Sequence, residues 1–488
     1  MSRKVQFRLL VALTAVWGLW AAWSMFARTS PVTVRVIDDV GLPVADAGVS
    51  LDGRPMGSTA ADGTIVVDWP RPASGLDVMA PGYEEASLDV GEPGEAPIEV
   101  VMRPRLLRGR VTDPQGNMVA GAYVLAGAGN AVSDGEGRFV VRKAEPGAIE
   151  VWRPAWQGAT VTWDGGAAEI EATISPQVIR AVHLGGEAVQ KSLGYFLDMT
   201  ERTDVNGLMI DLKDETGSVF YDSSIQSVQA VRSKWLLYDL PEVVRQADQR
   251  GVYLIGRIVA FQDPIASIRA PEMAVWDTQT DAPYHKGAQY FLDPSDQAAQ
   301  EYALELGREA CIAGVDEIQF DYVRYPDGRP DWARFDQPTD EATRVATIRD
   351  FLATAVADLH PLGCAVAADV FGFTTQALDD GGIGQQWETV TEVVDVASPM
   401  LYPSHYGNGW NGYDDPNDHP AAIVSDALES GLERLSRRII VRPWLQDFGY
   451  QTEEVEAQID QAEQRGLGWM LWNSRSEFTE DALGPPSD

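Results

Sequence analysis

The sequence is poor in cysteine, in histidine and in basic residues. Among 488 residues there are 2 cysteines and 5 histidines, and 38 Lys and Arg residues stand against 73 Asp and Glu residues, for a net charge of −35. A chain this acidic lacks the electrostatic attraction that nucleic acid or anionic lipid binding requires. We therefore expect no nucleic acid partner, and we interpret the dispersed acidity as a solubility feature.

The scarcity of histidine argues against metal-dependent chemistry. The chain has no H-x-x-x-H or H-E-x-x-H pattern, and its histidines are His183, His285, His360, His405 and His419. A metal-dependent hydrolase, such as an exported polysaccharide deacetylase, is an alternative that needs such clusters. Phosphate loops, nucleophile elbows and zinc-finger spacings are also missing. We expect neither a metal nor a cofactor, and we interpret the acidic stretch YDDPND at 413–418 as a solvated loop rather than a Ca²⁺ site.

The two cysteines, Cys311 and Cys364, leave two alternatives open. Both are expected at the bottom ends of neighbouring strands, so a disulfide is plausible in an exported protein. Two inert buried thiols fit the sequence equally well.

Long hydrophobic runs are also rare, and the clearest one is at the N-terminus. Arg3, Lys4 and Arg8 precede LLVALTAVWGLWAAWSMF at 9–26, which is long enough to span a bilayer. The basic flank predicts a cytoplasmic N-terminus and an exported chain. Because Met25 makes a poor cleavage site, we favour a membrane anchor over residues 1–30 to a removed signal peptide; a buried core helix is the other alternative.

An internal repeat follows the hydrophobic run. VRVIDDVGLPVADAGVSL aligns with GRVTDPQGNMVAGAYVLA, and ADGTIVV aligns with GEGRFVV, at an offset of about 75 residues. Short alternating runs separated by Gly-rich turns predict two all-β sandwich domains, at 31–104 and 105–176. They resemble carboxypeptidase regulatory-like repeats, which implies accessory modules; a spacer role is favoured over ligand binding.

Residues 177–488 alternate apolar strands with amphipathic helices, which is typical of a (β/α)8 TIM barrel. Helices are predicted at PEVVRQADQRG, AAQEYALELGREACIAG, ATRVATIRDFLATAVADL and EVEAQIDQAEQRG. A doubly wound open sheet is the alternative, but no Gly-rich phosphate loop follows the first strand. The eight predicted strands cover 178–185, 207–213, 252–261, 316–325, 364–371, 393–403, 438–447 and 466–473.

Charged residues recur at the C-terminal ends of these strands, where TIM barrels build their active sites. In EIQFDYVRYP at 317–326, apolar residues alternate with polar and acidic ones, so the two kinds lie on opposite faces of the strand. Asp321 is therefore predicted to point into the barrel. Asp369 ends the inward parity of strand five in the same way. The charged residues at this level are Asp211, Lys213, Asp214, Arg257, Asp263, Asp321, Arg324, Asp369 and Asp447.

Two carboxylates at neighbouring strand ends favour glycoside hydrolysis, in which one acts as acid and the other as nucleophile or base. We assign Asp321 as the nucleophile and Asp369 as the acid/base, with Asp447 as a possible third carboxylate. Arg257 and Lys213 are expected to hold Asp321 ionised, and a dry setting is expected to raise the pKa of Asp369. The alternative is that Asp211, Lys213 and Arg257 form a buried ion network that only positions the strands.

Further residues near these strand ends are candidates for sugar binding, because aromatic rings stack on pyranose rings. The stretch SPMLYPSHYGNGWNGYDDPNDHP after strand six is predicted to be a substrate-binding loop. The predicted substrate-binding residues are Asp211, Lys213, Arg257, Arg324, Tyr402, His405, Trp444 and Trp472.

Eight ordered motifs resemble a bacterial family of glycoside hydrolases with a TIM barrel related to the α-amylase type. The motifs span about 177–478 and read MIDLKDETG, GRIVAFQDP, DEIQFDYVRYP, AADVFGF, GIGQQWE, ASPMLYPSHYG, VRPWLQDF and GWMLWNS. The resemblance implies a nucleophile on strand four, an acid on strand five and an assisting Asp on strand seven, which map onto Asp321, Asp369 and Asp447. The amylase-type acid is usually Glu, so Asp369 is one methylene shorter.

The sequence therefore predicts an exported, membrane-anchored protein of the cell envelope or periplasm, or a secreted one if the signal is cleaved. Its two β-sandwiches carry a hydrolase that cleaves a cell-surface or extracellular polysaccharide. A carbohydrate-binding or scaffold protein whose barrel has no activity is the alternative.

Overall fold

The computed structural model describes residues 30–70, 73–91, 94 and 96–486. The chain divides into two compact units, Met1–Ser175 and Pro176–Asp488. Within the described residues, no helix is long and apolar enough to cross a membrane. The hydrophobic run at 9–26, on which the anchor prediction depends, lies outside the described residues.

The first unit begins with seven strands in two sheets. One sheet has the order β4-β1-β7 and the other β3-β2-β5-β6. Alternating Val32, Val34 and Val36 of β1 are buried in a core that both sheets line, whereas Arg35 is exposed. The strands are β1 Ser30–Asp38, β2 Gly48–Leu51, β3 Arg54–Ser58, β4 Thr64–Trp69, β5 Gly75–Met79, β6 Ala86–Asp89 and β7 Ile98–Met102.

A second set of seven strands repeats this pairing. The central strand β1 pairs antiparallel with β4 and parallel with β7, and β8 pairs antiparallel with β11 and parallel with β14. The remaining strands form the sheet β10-β9-β12-β13. The strands are β8 Leu106–Thr112, β9 Tyr123–Ala126, β10 Gly129–Val132, β11 Arg138–Arg142, β12 Gly147–Trp152, β13 Ala159–Trp163 and β14 Ile170–Thr173.

The second unit is an eight-strand parallel barrel. Every neighbouring pair is parallel and the last strand pairs with the first, so the sheet closes. The barrel prediction is confirmed, and the open doubly wound sheet is excluded. The strands are β15 Arg180–Leu184, β16 Gly207–Lys213, β17 Tyr253–Val259, β18 Glu317–Asp321, β19 Ala365–Phe371, β20 Val396–Leu401, a seventh strand in two parts, β21 Ile440–Val441 and β22 Trp444–Gln446, and β23 Trp469–Trp472.

Helices connect the strands, and three of them begin at aspartate side-chain caps. The carboxylates of Asp263, Asp296 and Asp340 accept hydrogen bonds from backbone N–H groups of the first turns of α4, α5 and α6. The helices are α1 Gly186–Arg202, α2 Gln226–Val231, α3 Leu240–Arg250, α4 Pro264–Arg269, α5 Gln297–Ala313, α6 Glu341–Leu359, α7 Trp387–Thr391, α8 Pro420–Glu433 and α9 Thr452–Glu463.

The two faces of β18 enter different environments. Ile318 and Phe320 pack into the large core between strands and helices. Glu317, Gln319 and Asp321 lie on the opposite face and interact with residues of other barrel strands. The acidic parity of this strand therefore points into the barrel, which places charged groups where most barrels put apolar side chains.

The two cysteines form a disulfide between Cys311 and Cys364. Cys311 lies in the last turn of α5 and Cys364 directly precedes β19. Of the two alternatives left open by the sequence, the structure contains the bonded one.

Candidate active site

A pocket of about 550 Å³ opens at the C-terminal ends of the barrel strands. Its floor and walls come from six strands and the loops that follow them, which is where barrel enzymes bind their substrates. The lining residues are Arg257, Asp321, Tyr322, Arg324, Phe371, Gly372, Phe373, Met400, Tyr402, His405, Tyr406, Gly407, Trp410, Trp444 and Trp472.

Asp321 is the carboxylate of this lining, at the last position of β18. The backbone N–H of Tyr322 donates to Asp321 Oδ1 at 2.6 Å. Tyr322 has φ 48°, a left-handed conformation that bulky residues seldom adopt. This turn ends the strand at Asp321, four residues before the predicted end at 325, and turns the Tyr322 ring to the pocket instead of the outer core.

Arg257 on β17 holds Asp321 from the side. Its Nη2 and Nε donate to Asp321 Oδ2 at 2.5 and 3.0 Å, and its Nη1 donates to Asp211 Oδ1 at 2.7 Å. The guanidinium lies 5.3 Å from the ring centroid of Trp472. Arg257 therefore has its position fixed by two carboxylates and one ring, as the sequence predicted for Arg257 and Asp321.

Asp211 does not line the pocket but contacts Arg257, which does. Burial pushes its pKa up, but the charges of His183 and Arg257 outweigh burial and lower the pKa to about 2. His183 Nε2 lies 3.0 Å from Asp211 Oδ1, and the imidazole stacks on Trp472 at 4.2 Å. Asp211 and Arg257 thus form part of the ion network that the sequence offered as an alternative.

Asp369 lies behind the pocket wall. It is 1% exposed and does not line the pocket, but Trp444, which does, donates from its indole Nε1 to Asp369 Oδ1 at 2.6 Å. Gln319 Nε2 donates to the same oxygen. Among the described residues, none hydrogen-bonds Asp369 Oδ2.

Burial, and after it the negative charge of Asp321, raise the pKa of Asp369 well above its usual range. The N–H donors of Trp444 and Gln319 oppose this shift without reversing it. A protonated Asp369 that accepts two hydrogen bonds at Oδ1 keeps its proton on Oδ2, as a general acid requires.

Lys213 does not contact Asp321, contrary to the prediction. A register shift between Asp211 and Lys213 pairs Lys213 with Ile258, whose side chain faces the helices. The ammonium group lies 2.9 Å from Asp263 Oδ2 and donates to the Val259 carbonyl at 2.6 Å. The lysine therefore forms a separate buried ion pair outside the barrel interior, because the bulge reverses the direction of its side chain.

Asp447 follows β22 and is not part of the pocket lining. Its two oxygens accept hydrogen bonds from Thr479, at 2.6 Å from the hydroxyl and 2.9 Å from the backbone N–H. Burial raises its pKa. Its role as a third carboxylate stays a prediction, and the geometry shows it anchoring the segment that follows β23.

Arg324 is held between two aromatic rings of the pocket. Its guanidinium carbon lies 5.0 Å from the ring centroid of Tyr322 and 4.7 Å from that of Phe371. Its Nη1 donates to the Tyr325 carbonyl at 3.2 Å and to Asp327 Oδ1 at 3.3 Å. The side chain is 7% exposed, so it forms a rigid part of the wall.

The loop after β20 supplies the opposite wall. Tyr402 and His405 lie edge to face with centroids 5.2 Å apart, and Tyr406 packs on Trp410 at the same distance. Burial lowers the pKa of His405, which is therefore neutral at neutral pH. Seven of the eleven predicted site residues thus line the pocket: Arg257, Asp321, Arg324, Tyr402, His405, Trp444 and Trp472.

Two supporting residues were missed by the sequence analysis. Gln319 donates to Asp369, and His183 contacts Asp211. Both could have been found from the alternation of side chains along a strand. Gln319 is on the same face of β18 as Asp321, and His183 is the last inward-facing residue of β15. No group of three or more potential metal ligands occurs in the described ranges.

The fold and the pocket define a class: a (β/α)8 barrel with a carboxylate and aromatic rings around a cavity at its C-terminal face. A family model described as "Putative glycosyl hydrolase domain" matches residues 181–478. The chain belongs to this family, and its barrel is a glycoside hydrolase-like domain. No curated protein sequence matches the chain.

Three solved structures illustrate what the chain is similar to, and each has a TM-score below 0.5. A hypothetical protein from Ruminiclostridium thermocellum is 31% identical, with 39% of this chain and 97% of that chain covered and a TM-score of 0.36. The PgaB (BpsB) glycoside hydrolase domain from Bordetella bronchiseptica is 14% identical, covering 62% and 95%, with a TM-score of 0.45. A maltogenic α-amylase, AmyB, from Thermotoga neapolitana is 14% identical, covering 64% and 70%, with a TM-score of 0.40. The family assignment rests on the domain match.

Proposed function

We propose that this protein is a glycoside hydrolase that cleaves a cell-surface or extracellular polysaccharide with two carboxylates. The observation that carries the proposal is the pair Asp321 and Asp369. The first is ion-paired with Arg257 and open to the pocket, and the second is buried with a raised pKa. Environments that separate the pKa values of two neighbouring carboxyl groups suit one nucleophile and one acid.

In the proposed reaction, Asp321 attacks the anomeric carbon, and the leaving glycosidic oxygen receives the proton from Asp369 Oδ2. Asp369, then ionised, takes a proton from the water that releases the sugar from Asp321. Arg257 fixes the orientation of Asp321 with Nε and Nη2, while the Trp444 indole and Gln319 orient Asp369. The rings around the pocket bind sugar faces.

We also propose that the protein is exported and acts outside the cytoplasm, attached to the membrane by its N-terminal segment. The basic residues before the hydrophobic run at 9–26 and the disulfide Cys311–Cys364 support this placement, because disulfides persist in oxidising compartments. In this proposal, the strands between residues 30 and 173 act as carboxypeptidase regulatory-like spacers.

A second candidate function is carbohydrate binding without hydrolysis. The observation that favours it is the 1% exposure of Asp369, which lies behind Trp444 rather than in the pocket lining. If no motion of this wall brings the carboxyl group to a substrate, the barrel binds glycan and leaves it intact.

The experiment measures reducing-end release by the full chain from a panel of bacterial surface polysaccharides. Asp321→Asn and Asp369→Asn are run beside Asp198→Asn, an exposed carboxylate of α1 that serves as a matched control. The hydrolase proposal expects release that falls by on the order of 10²-fold or more in both site variants and persists in the control. Glycan binding without release by the wild-type chain would instead support the second candidate.

A further inference from the structure

We infer that the pocket binds a glycan whose sugar units carry carboxylates, and that Arg324 is the residue that recognises the carboxylate. This inference rests on the proposed function, because it takes the pocket as a glycan site. It adds a substrate class, acidic polysaccharides of the uronic acid type.

The first support is the free edge of the Arg324 guanidinium. The two contacts of this group with acceptors both use Nη1. No acceptor in the described parts of the chain takes a hydrogen bond from Nε or Nη2, and neither atom is sealed from solvent. These two nitrogens lie on the same edge of the planar guanidinium, and this edge can bind a carboxylate with two parallel hydrogen bonds.

The site itself shows how such an edge is used. Arg257 directs Nε and Nη2 to Asp321 Oδ2. Arg324 has the same edge in the same pocket, and among the residues that the structure describes this edge has no hydrogen-bond partner. Arg324 lines the cavity and is only 7% exposed, so water satisfies its donors poorly. A ligand that accepts both hydrogen bonds therefore gains binding free energy from this contact.

The second support is the fixed orientation of Arg324. The rings of Tyr322 and Phe371 lie 5.0 and 4.7 Å from the guanidinium carbon. Tyr322 adopts a left-handed backbone conformation, and its N–H donates a hydrogen bond to the Asp321 carboxylate. This turn sets the position of the Tyr322 ring. Arg324 is thereby held in place before a ligand arrives, which lowers the entropy cost of binding.

The third support is the charge of the pocket. Its charged lining residues are Arg257, Arg324 and Asp321, so cations outnumber anions in a protein with a net charge of −35. Asp327, the carboxylate next to Arg324, is shared with Lys286 at 2.9 Å. The overall charge repels acidic polymers, so a basic local group here is a specific contact rather than general attraction.

The test compares acidic oligosaccharides with their carboxyl-reduced forms, which keep the linkages and replace each carboxylate by a primary alcohol. The probes are fragments of polygalacturonate, of alginate and of hyaluronan. Binding to the full chain is followed by tryptophan fluorescence, since Trp410, Trp444 and Trp472 line the pocket. We expect at least one acidic probe to bind about 10- to 100-fold more tightly than its reduced form.

The variant Arg324→Gln is expected to abolish this preference by weakening only the acidic probe. Arg324→Lys keeps the charge but not the two-nitrogen edge, so it is expected to recover little of the preference. Arg250→Gln, which removes an arginine from the outer surface, serves as the charge-matched control. Thermal unfolding verifies that each variant is folded. If Arg324→Gln does not fold, the comparison of acidic and reduced probes is made with Arg324→Lys.

Equal binding of the acidic and reduced probes by the wild-type chain would overturn the inference, as would an equal loss for both in Arg324→Gln. So would the absence of binding to every acidic probe. Cleavage of reduced probes without any preference would overturn the carboxylate site and leave the hydrolase proposal standing. Selective binding of acidic probes without cleavage would support the carboxylate site and overturn the hydrolase proposal.

Discussion

Strand β18 carries two arginine–carboxylate pairs that use the same chemistry in different surroundings. At its start, Glu317 accepts two hydrogen bonds from Arg442, at 2.9 and 2.8 Å, and both side chains are fully buried. At its end, Asp321 accepts two from Arg257, and its side chain is 9% exposed to the pocket. Four residues along one strand therefore separate a sealed ion pair from an accessible one.

The difference lies in how each arginine is shared. Arg442 has Glu317 as its carboxylate partner, whereas Arg257 also contacts Asp211 at 2.7 Å and lies 3.7 Å from Glu215. The lower pair fills and neutralises the barrel interior, so its loss damages the fold. In the upper pair, Arg257 has Asp211 as a second carboxylate partner, so a change in the contacts of Asp321 does not leave the buried guanidinium without a charged partner.

The largest expected effect separates these two roles. Glu317→Gln leaves Arg442 buried without a charged partner, and we expect it to lower the free energy of unfolding by about 3–5 kcal/mol. Urea unfolding followed by tryptophan fluorescence measures this loss. Asp321→Asn, the matched change at the other end of the strand, is expected to cost only about 1–2 kcal/mol, since Arg257 keeps Asp211. Equal losses in the two variants would remove the distinction.

A smaller effect concerns the second carboxyl group of the site. Because Asp369 has a raised pKa in the folded chain, it binds its proton while the unfolded chain releases it, so its contribution to stability falls as pH rises above about 4. Asn at this position does not titrate. We expect the stability of Asp369→Asn, relative to the wild type, to increase from about pH 4 up to the raised pKa of Asp369 in the folded chain, by up to about 1.4 kcal/mol per pH unit.

Urea unfolding of both proteins across this range measures the difference. Titrating groups that do not interact with Asp369 contribute equally in the two proteins and cancel, whereas any change at Asp321, whose charge acts on Asp369, is part of the measured difference. A constant difference across the range would show that Asp369 is ionised in the fold, and would remove it as the acid.

The smallest effect is expected at Asp447. Because both oxygens of Asp447 bind Thr479 away from the pocket lining, Asp447→Asn should leave the rate of glycan cleavage within about twofold and cost about 1 kcal/mol of stability. Cleavage rates and urea unfolding of the same preparation test both parts. A fall in rate as large as that of Asp321→Asn would restore Asp447 as a third catalytic carboxylate.

Alternation along single strands predicted much of the barrel and of its site. It placed Asp321 and Asp369 inside, because polar and apolar side chains that alternate along a strand face two environments. The eight strands themselves were predicted from apolar runs that alternate with amphipathic helices. The sequence could not reveal the bulge that turns Lys213 towards Asp263, since a register shift is set by the neighbouring strand. The turn at Tyr322 was hidden for a similar reason, because its positive φ depends on the hydrogen bond to Asp321.

The burial of Asp369 behind the pocket wall could not be predicted from the sequence either. The alternation places Asp369 on the inner face but does not say that Trp444, two strands away in the barrel, covers it. The partner of Asp447, Thr479, comes from a segment that the repeat of strands and helices does not describe. Contacts that join distant parts of the chain therefore decided which carboxylates are accessible.

The disulfide gives the site a resistance to chain cleavage. It spans 53 residues, and this segment includes β18 and α6 with Asp321, Tyr322 and Arg324. A protease that cuts once within the exposed loop between β18 and α6 would leave both fragments joined as one covalent molecule. A nicked chain would therefore stay assembled around its pocket until a reductant released the two pieces.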